Sequence, residues 1–271
     1  MFSPWYRWSG RKNPDNHCCI NVATYGKGGR WTMTDRGSAA LSQSEDTFTV
    51  GPSSMHWDGT SLVIDINEMS VPHCDRVQGT VKIHPGGITD IEIPLHDSGS
   101  HVWRPFAPTA DIEVSLNKSG WQWRGHGYFD SNFGTSALED DFSYWTWGRY
   151  PVKGGTACFY DAIRRDGSDD LAVSLMFNKD GSVAPMPAPP KQTFRRSLWA
   201  VKRETRGDDG VVPRQTKMML DAPFYCRAGV RTKINGETSD GVHEALDLNR
   251  FRSKLIKPML AVKVPRRPGW P

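Results

Sequence analysis

Long apolar runs are missing from this 271-residue chain. None approaches the roughly 20 residues that a membrane-spanning helix needs. Apolar residues make up 37% of the sequence and the mean hydropathy is −0.55. An integral helical membrane protein is excluded. Strong helical periodicity is also scarce, which excludes a coiled coil. The start, Met1-Phe2-Ser3-Pro4-Trp5, has no basic stretch followed by an apolar one, so no secretory signal is read there. Charge of one sign is lacking. The 34 basic and 30 acidic residues leave a net +4, too balanced to argue for nucleic acid. The five cysteines (Cys18, Cys19, Cys74, Cys158, Cys226) are odd in number and form no Cys-x-x-Cys pair. Free thiols in a reducing cytoplasm are expected, with no zinc site. There is no Gly-x-Gly-x-x-Gly after a strand, no phosphate-binding loop, no Gly-x-Ser-x-Gly and no His-Glu-x-x-His. No nucleotide, cofactor, metal or serine nucleophile is therefore expected. For an enzyme, acid–base chemistry without a cofactor is the class left.

What is present reads as β. Short β-rich runs cover Cys18–Thr24, Ser61–Ile66, Val77–His84, Ile88–Leu95, Ile112–Leu116, Ala157–Ile163 and Leu171–Phe177. Many alternate apolar and polar residues, as half-buried strands do. Asp58-Gly59, Asp166-Gly167 and Asp180-Gly181 fall between such runs and read as hairpin turns. Helical turns are expected only at Leu138–Tyr144 and Leu246–Ile256. The fold class is all-β, a sandwich or barrel with few short helices. A boundary is placed near Gly120, giving domains 1–120 and 121–271. The Pro-rich stretch Ala184–Lys191 reads as a stiff loop. Basic residues gather at Arg195, Arg196, Lys202, Arg203 and Arg206, and again at Lys254, Lys257, Lys263, Arg266 and Arg267. They read either as a solvated surface or as attraction to anionic headgroups.

Eleven tryptophans stand out, with the pairs Trp5/Trp8, Trp121/Trp123 and Trp145/Trp147. Rings at i and i+2 share one side of a strand. They pack a core, or they line a pocket for a long apolar or polyene ligand. His101 and Trp103 share a face if Ser100–Pro105 is a strand. Tyr128 and Asp130 do the same within the Gly-rich Gly125–Gly134. An Asp among aromatics in a dry pocket has its pKa raised and can donate a proton. The competing role for Asp130 is a cap on the Leu138–Tyr144 turn or a loop hydrogen bond with Asn132. The dipeptide His243-Glu244 puts its side chains on different faces, and a surface or capping role is expected for it.

At these residues the chain resembles the carotenoid 1,2-hydratase (hydroxyneurosporene synthase) family of purple photosynthetic bacteria. The resemblance is carried by Phe2-Ser3-Pro4-Trp5-Tyr6-Arg7-Trp8, by Asn16 to Gly26, by Arg30 to Gly37 and by Gly51 to Gly59. It continues at His101-Val102-Trp103-Arg104-Pro105, Gly127-Tyr128-Phe129-Asp130, Leu138-Glu139-Asp140, Ala222-Pro223-Phe224-Tyr225 and His243-Glu244. It runs nearly the whole length. One departure is the start, where relatives carry a few more residues before the Phe-Ser-Pro segment. That bears on the completeness of a first barrel, not on the site.

The resemblance implies two consecutive lipocalin-like (calycin) β domains with the active site at their junction. It implies a hydro-lyase that adds water across the terminal 1,2 double bond of acyclic carotenoids such as neurosporene and lycopene. Its His-x-Trp segment falls on His101 and Trp103, and its Tyr-x-Asp segment on Tyr128 and Asp130. Asp130 is then expected as the acid, with the Trp103 and Tyr128 rings steadying a tertiary carbocation. His101 positions or deprotonates the attacking water, or orients Asp130. The expected partners are the carotenoid, water and a membrane surface, without nucleic acid. The expected location is cytoplasmic, peripheral to the intracytoplasmic membrane. A non-catalytic calycin carrying a lipophilic polyene is the competing expectation.

Overall fold

The computed structural model of the chain describes residues 4–118 and 120–267; the side chain of Lys257 also lies outside the description. The Phe2-Ser3 part of the first motif therefore falls outside the described residues. Two compact units are formed from interleaved segments. The first comprises residues 1–85, 111–127 and 254–271, and the second residues 86–110 and 128–253. Gly120, the boundary read from sequence, lies within the segment 111–127 of the first unit.

In the first unit a short helix α1 (Pro4–Trp8) precedes the two-stranded pair β1 (Asn21–Ala23) and β2 (Trp31–Met33). The Gly-rich Gly26–Gly29 makes the turn between them, as its sequence suggests. An antiparallel meander follows through β3 (Leu41–Gln43), β4 (Thr47–Val50), β5 (Ser53–Trp57), β6 (Leu62–Met69) and β7 (Arg76–Pro85). Strand alternation places Ile66 and Val77 in one cluster with Val114, Leu116 and Trp121.

The two-residue β8 (Ile93–Pro94) leads to two long strands, β9 (His101–Leu116) and β10 (Gln122–Gly134). Residues 101–110 and 128–134 of these belong to the second unit. The helical turn α2 (Leu138–Asp141) then gives way to β11 (Phe142–Val152), β12 (Gly155–Arg164), β13 (Leu171–Asn178) and β14 (Val183–Pro185). The pair β15 (Lys191–Phe194) and β16 (Arg203–Arg206) is a separate two-stranded sheet. β17 (Arg214–Asp221), β18 (Tyr225–Ile234) and β19 (Glu237–Asp247) complete a seven-stranded antiparallel sheet of order β14-β13-β12-β11-β19-β18-β17. Helices α3 (Leu248–Arg252) and α4 (Lys257–Lys263) follow.

The three Asp-Gly turns lie where they were expected, after β5, β12 and β13. The chain is all-β with few short helices. Two local expectations are corrected. Ile88–Leu95 is β-rich in composition, yet only Ile93–Pro94 is strand. Leu138–Tyr144 is helical only to Asp141, because the β-branched and aromatic residues that follow pair in the large sheet.

Period-two alternation sorts the seven-stranded sheet into two faces. One face carries Trp145, Trp147 and Arg149 from β11, Cys158 and Tyr160 from β12, Glu244 from β19 and Arg227 from β18. The other carries Tyr150, Phe159, Asp161, Cys226, Ala228, Val230 and His243, in clusters with Ile234, Phe194 and Val201.

Candidate active site

β9 alternates strictly at its start, burying His101, Trp103 and Pro105 while the residues between them are partly exposed. His101 and Trp103 therefore share one face, as their spacing predicts. Trp103 is fully buried. Its ring lies 5.7 Å from Tyr160 and 6.2 Å from Phe177, centroid to centroid. β10 supplies Tyr128 and Asp130 to the same place. The indole Nε1 of Trp103 donates to Asp130 Oδ2 at 2.8 Å, and the Tyr128 hydroxyl donates to the same oxygen at 2.8 Å. Trp103 Nε1 also lies 3.2 Å from the Tyr128 oxygen. Asp130 Oδ1 has no hydrogen-bond partner among the described residues.

Asp130 keeps some accessible surface, yet protein crowds the carboxyl. Desolvation pushes its pKa up; the hydrogen bonds from Tyr128 and Trp103 pull it down, and the nearby Glu244 charge pushes it up again. The net direction is upward. Asp130 does not cap the following turn. That helix begins after Ala137, without a side-chain cap.

His101 is engaged elsewhere. Its Nε2 lies 2.7 Å from Asp141 Oδ2. The same oxygen accepts from Ser136 Oγ at 2.6 Å and from Ser100 Oγ at 3.1 Å. Burial alone raises the Asp141 pKa, but the hydrogen bonds from Ser136, His101 and Ser100 reverse this and lower it. His101 Nδ1 faces Gly134, where a Cβ would come within 3.2 Å of it and within 2.2 Å of the Ser100 carbonyl oxygen. Only glycine fits this approach. Two carboxyls close in sequence are thus pushed in opposite directions, Asp130 toward the acid and Asp141 toward the anion.

The sheet face opposite adds residues that spacing did not single out. Trp147 meets the Tyr128 ring edge-on at 5.0 Å, and the Arg149 guanidinium sits 5.3 Å over that ring. Desolvation lowers the Arg149 pKa. Arg227 pairs with Glu244 at 2.7 Å, and both act on the Asp130 carboxyl through space. Cross-strand register explains the grouping. Tyr160, Trp147, Glu244 and Arg227 form one row across β12, β11, β19 and β18. Register between distant strands leaves no local trace, so Arg149 and Arg227 were not legible. Asp141 adjoins the quoted Leu138-Glu139-Asp140 segment, which was the available signal.

His243 and Glu244 do point to opposite faces, as expected. The expected surface role of His243 is wrong. It is fully buried, with Nε2 2.8 Å from the Glu204 carbonyl oxygen. Burial lowers its pKa to about 4. Its strand is central in the sheet, which the dipeptide alone does not reveal. All five cysteines are free thiols. Among the described residues, no group of three or more His, Cys, Asp or Glu side chains is placed to hold a metal ion. No described helix is long and apolar enough to cross a membrane.

A family model described as carotenoid hydratase CrtC matches residues 1–271. The acyclic carotenoid 1,2-hydratase of Cereibacter sphaeroides is 63% identical, over all of this chain and 96% of that protein. The chain belongs to the carotenoid hydratase family. A protein of the same name from Rhodobacter capsulatus is 54% identical over the same shares of the two chains. Membership makes this chain an enzyme, a hydro-lyase. A solved structure of a putative AttH from Nitrosomonas europaea superposes with a TM-score of 0.54 at 12% identity, covering 78% of this chain and 72% of that one. That likeness concerns fold alone, and the fold is lipocalin-like.

Proposed function

We propose that this carotenoid hydratase adds water across the terminal 1,2 double bond of acyclic carotenoids, neurosporene and lycopene among them, to give 1-hydroxy products. The observation that carries the mechanism is the Asp130 carboxyl, crowded by protein and held through one oxygen only. An alkene is a weak base, so its proton donor must be a poised acid in a dry setting. Desolvation shifts Asp130 toward its protonated form, and Oδ1 is the oxygen that would present the proton.

Proton transfer to C2 leaves positive charge on the tertiary C1. The Asp130 carboxylate that remains keeps its two hydrogen bonds, from Trp103 Nε1 and the Tyr128 hydroxyl. Both strengthen as charge develops on Oδ2. The ring faces of Trp103 and Tyr128 steady the cation, each by about 1–2 kcal/mol when desolvated. Arg149 sits over the Tyr128 ring and Trp147 meets that ring edge-on. Water then attacks C1. Asp141 engages His101 through Nε2, which leaves Nδ1 as the nitrogen turned away from that carboxylate. That nitrogen takes the proton released by the water; its return to solvent and the uptake of one solvent proton by Asp130 reset the site. In this assignment His101 is the base, and the hydrogen bonds that orient Asp130 come from Trp103 and Tyr128. The buried indole N–H groups of Trp145 and Trp147 have no partner among the described residues. They are donors suited to holding the reacting water.

The test is incubation of purified protein with lycopene or neurosporene in liposomes made up in H₂¹⁸O, with the pigments read by mass spectrometry. Gain of one labelled water per hydrated end is expected. Pigment binding with no mass change, in folded protein, would instead make this chain a polyene carrier. The enzyme is proposed to work on the cytoplasmic side, peripheral to the membrane that holds its substrate.

A further inference from the structure

The loop between β15 and β16 carries two large apolar side chains in water. Leu198 is 91% exposed and its neighbour Trp199 is 51% exposed. Exposure of this kind at a floppy loop means little, but this loop is built. The buried Arg203 guanidinium donates from Nε to the Arg195 carbonyl oxygen at 2.7 Å, and a second nitrogen reaches the same oxygen and that of Arg196. The Leu198 amide donates to Asp221 Oδ2 at 2.6 Å. The Val201 amide donates to Ser197 Oγ at 3.2 Å, and Arg250 donates to the Trp199 carbonyl oxygen at 2.7 Å. Ser197 and Val201 are buried on either side of the tip. Ala200 holds a positive φ of 59° without being glycine, a conformation that the surrounding bonds enforce.

Charge sits beside the apolar tip. Arg195 and Arg196 are exposed, and no described carboxylate pairs with either. Lys202 is exposed as well but is committed to Glu204 at 2.7 Å. A leucine and an indole held outward, beside guanidinium groups that no described carboxylate neutralises, match a bilayer interface with anionic headgroups.

We propose that the Arg195–Lys202 loop docks on an anionic lipid surface, with Leu198 and Trp199 entering the headgroup region and Arg195 and Arg196 meeting lipid phosphates. This deepens the reading above and rests on it, since the proposed substrate is carried in lipid. None of these residues belongs to the candidate active site.

The experiment is co-sedimentation of the full chain with phosphatidylcholine vesicles, with and without phosphatidylglycerol, across salt concentrations. Wild-type protein is expected to bind the anionic vesicles, less strongly as salt rises. The double variant Leu198→Ser, Trp199→Ser is expected to lose at least tenfold in affinity for them. Arg195→Gln with Arg196→Gln is expected to lose roughly 30-fold, about fivefold per charge squared, and most of the salt dependence. Both variants should keep the wild-type melting temperature, because the altered groups face water. Both should keep wild-type turnover of detergent-dispersed carotenoid. Vesicle binding by the Leu198/Trp199 variant equal to wild type would overturn the proposal, as would a wild type that ignores both vesicles. Concentration-dependent dimerisation abolished by the same variant, with vesicle binding unchanged, would assign the loop to a second copy of the chain. Loss of turnover by the wild type on dispersed substrate would count against the reaction alone, leaving the vesicle result readable.

Discussion

The two faces of the seven-stranded sheet are made from the same strands and carry different chemistry. On the face away from the candidate site, the charges are paired, while Ser174 Oγ, Thr232 Oγ1 and His243 Nδ1 lack partners among the described residues. Arg206 grips Asp161 through two bonds, at 3.0 and 2.5 Å. The Tyr150 hydroxyl meets Thr205 at 2.9 Å. His243 is tied to the Glu204 backbone. Aliphatic clusters fill the spaces between them. On the site face, groups are left with capacity. Asp130, brought to this face from β10, keeps Oδ1 without a partner among the described residues. The N–H groups of Trp145 and Trp147 have no partner among the described residues. A closed ion pair stabilises; a crowded acid with an oxygen to spare can act on something that arrives. Backbone pairing allows both to coexist, because alternate residues of one strand never compete for the same environment.

The comparison can be broken most severely at Asp130. Asp130→Asn is expected to lower turnover by about a thousandfold or more, equivalent to about 4 kcal/mol, with the fold intact. The folded-state pKa of Asp130 is raised, so its favourable contribution is present at low pH and is lost as pH rises through that value. The variant should therefore gain melting temperature relative to wild type as pH rises above the ordinary carboxyl range. Wild-type activity should fall on the same alkaline limb. Turnover equal to wild type would remove Asp130 from the acid role.

The face that holds the closed ion pair should respond in the other coordinate. Asp161→Ala leaves the Arg206 guanidinium buried without its anion, and about 3–5 kcal/mol of stability should go. Denaturant unfolding measures this. The folded fraction should turn over at near the wild-type rate. A large loss of rate per folded molecule would show that the faces are coupled.

His243 makes a pH-dependent version of the same test. Its folded pKa of about 4 lies below the ordinary 6.5. Its contribution is present above pH 6.5 and is lost as pH falls from there toward 4, on the order of 3 kcal/mol in all. His243→Gln should flatten the melting temperature across that window, with little change in turnover at pH 7.

Asp141→Asn should cost about a hundredfold in rate, since an amide no longer sets the His101 tautomer. Asp141 has a lowered pKa, so wild type also draws stability from it above the ordinary carboxyl pKa and loses that as pH falls. The smallest expected effect is that of Tyr128→Phe. It removes one of the two hydrogen bonds on Asp130 Oδ2, for about a tenfold slower reaction. The bond lowers the Asp130 pKa, so without it the alkaline limb should move to higher pH. A limb moving lower would contradict the assigned donor direction.

Much of this was legible from residues alone. Period-two alternation and the Asp-Gly turns pointed to an all-β chain. The i, i+2 spacings put His101 with Trp103 and Tyr128 with Asp130, and the family motifs named those four residues. Such features are local, and local geometry follows from φ/ψ preference and side-chain alternation. Other features were not legible. The β10 strand through Gly125–Gly134 is weak in β-propensity, and its pairing partner supplies what propensity does not. The expectation that His243 is at the surface failed because burial depends on which strands flank β19.

The sequence by itself determined the strand-rich class and the shared faces of His101 with Trp103 and of Tyr128 with Asp130, because these depend on neighbours one to three residues apart, and its motifs along the chain pointed to the family. Tertiary structure alone decided which oxygen of Asp130 is held, that His101 turns to Asp141, and that Arg227, Glu244 and Arg149 act on the same carboxyl. Desolvation and through-space charge are sums over atoms from strands scores of residues apart, and no short stretch of sequence contains that sum.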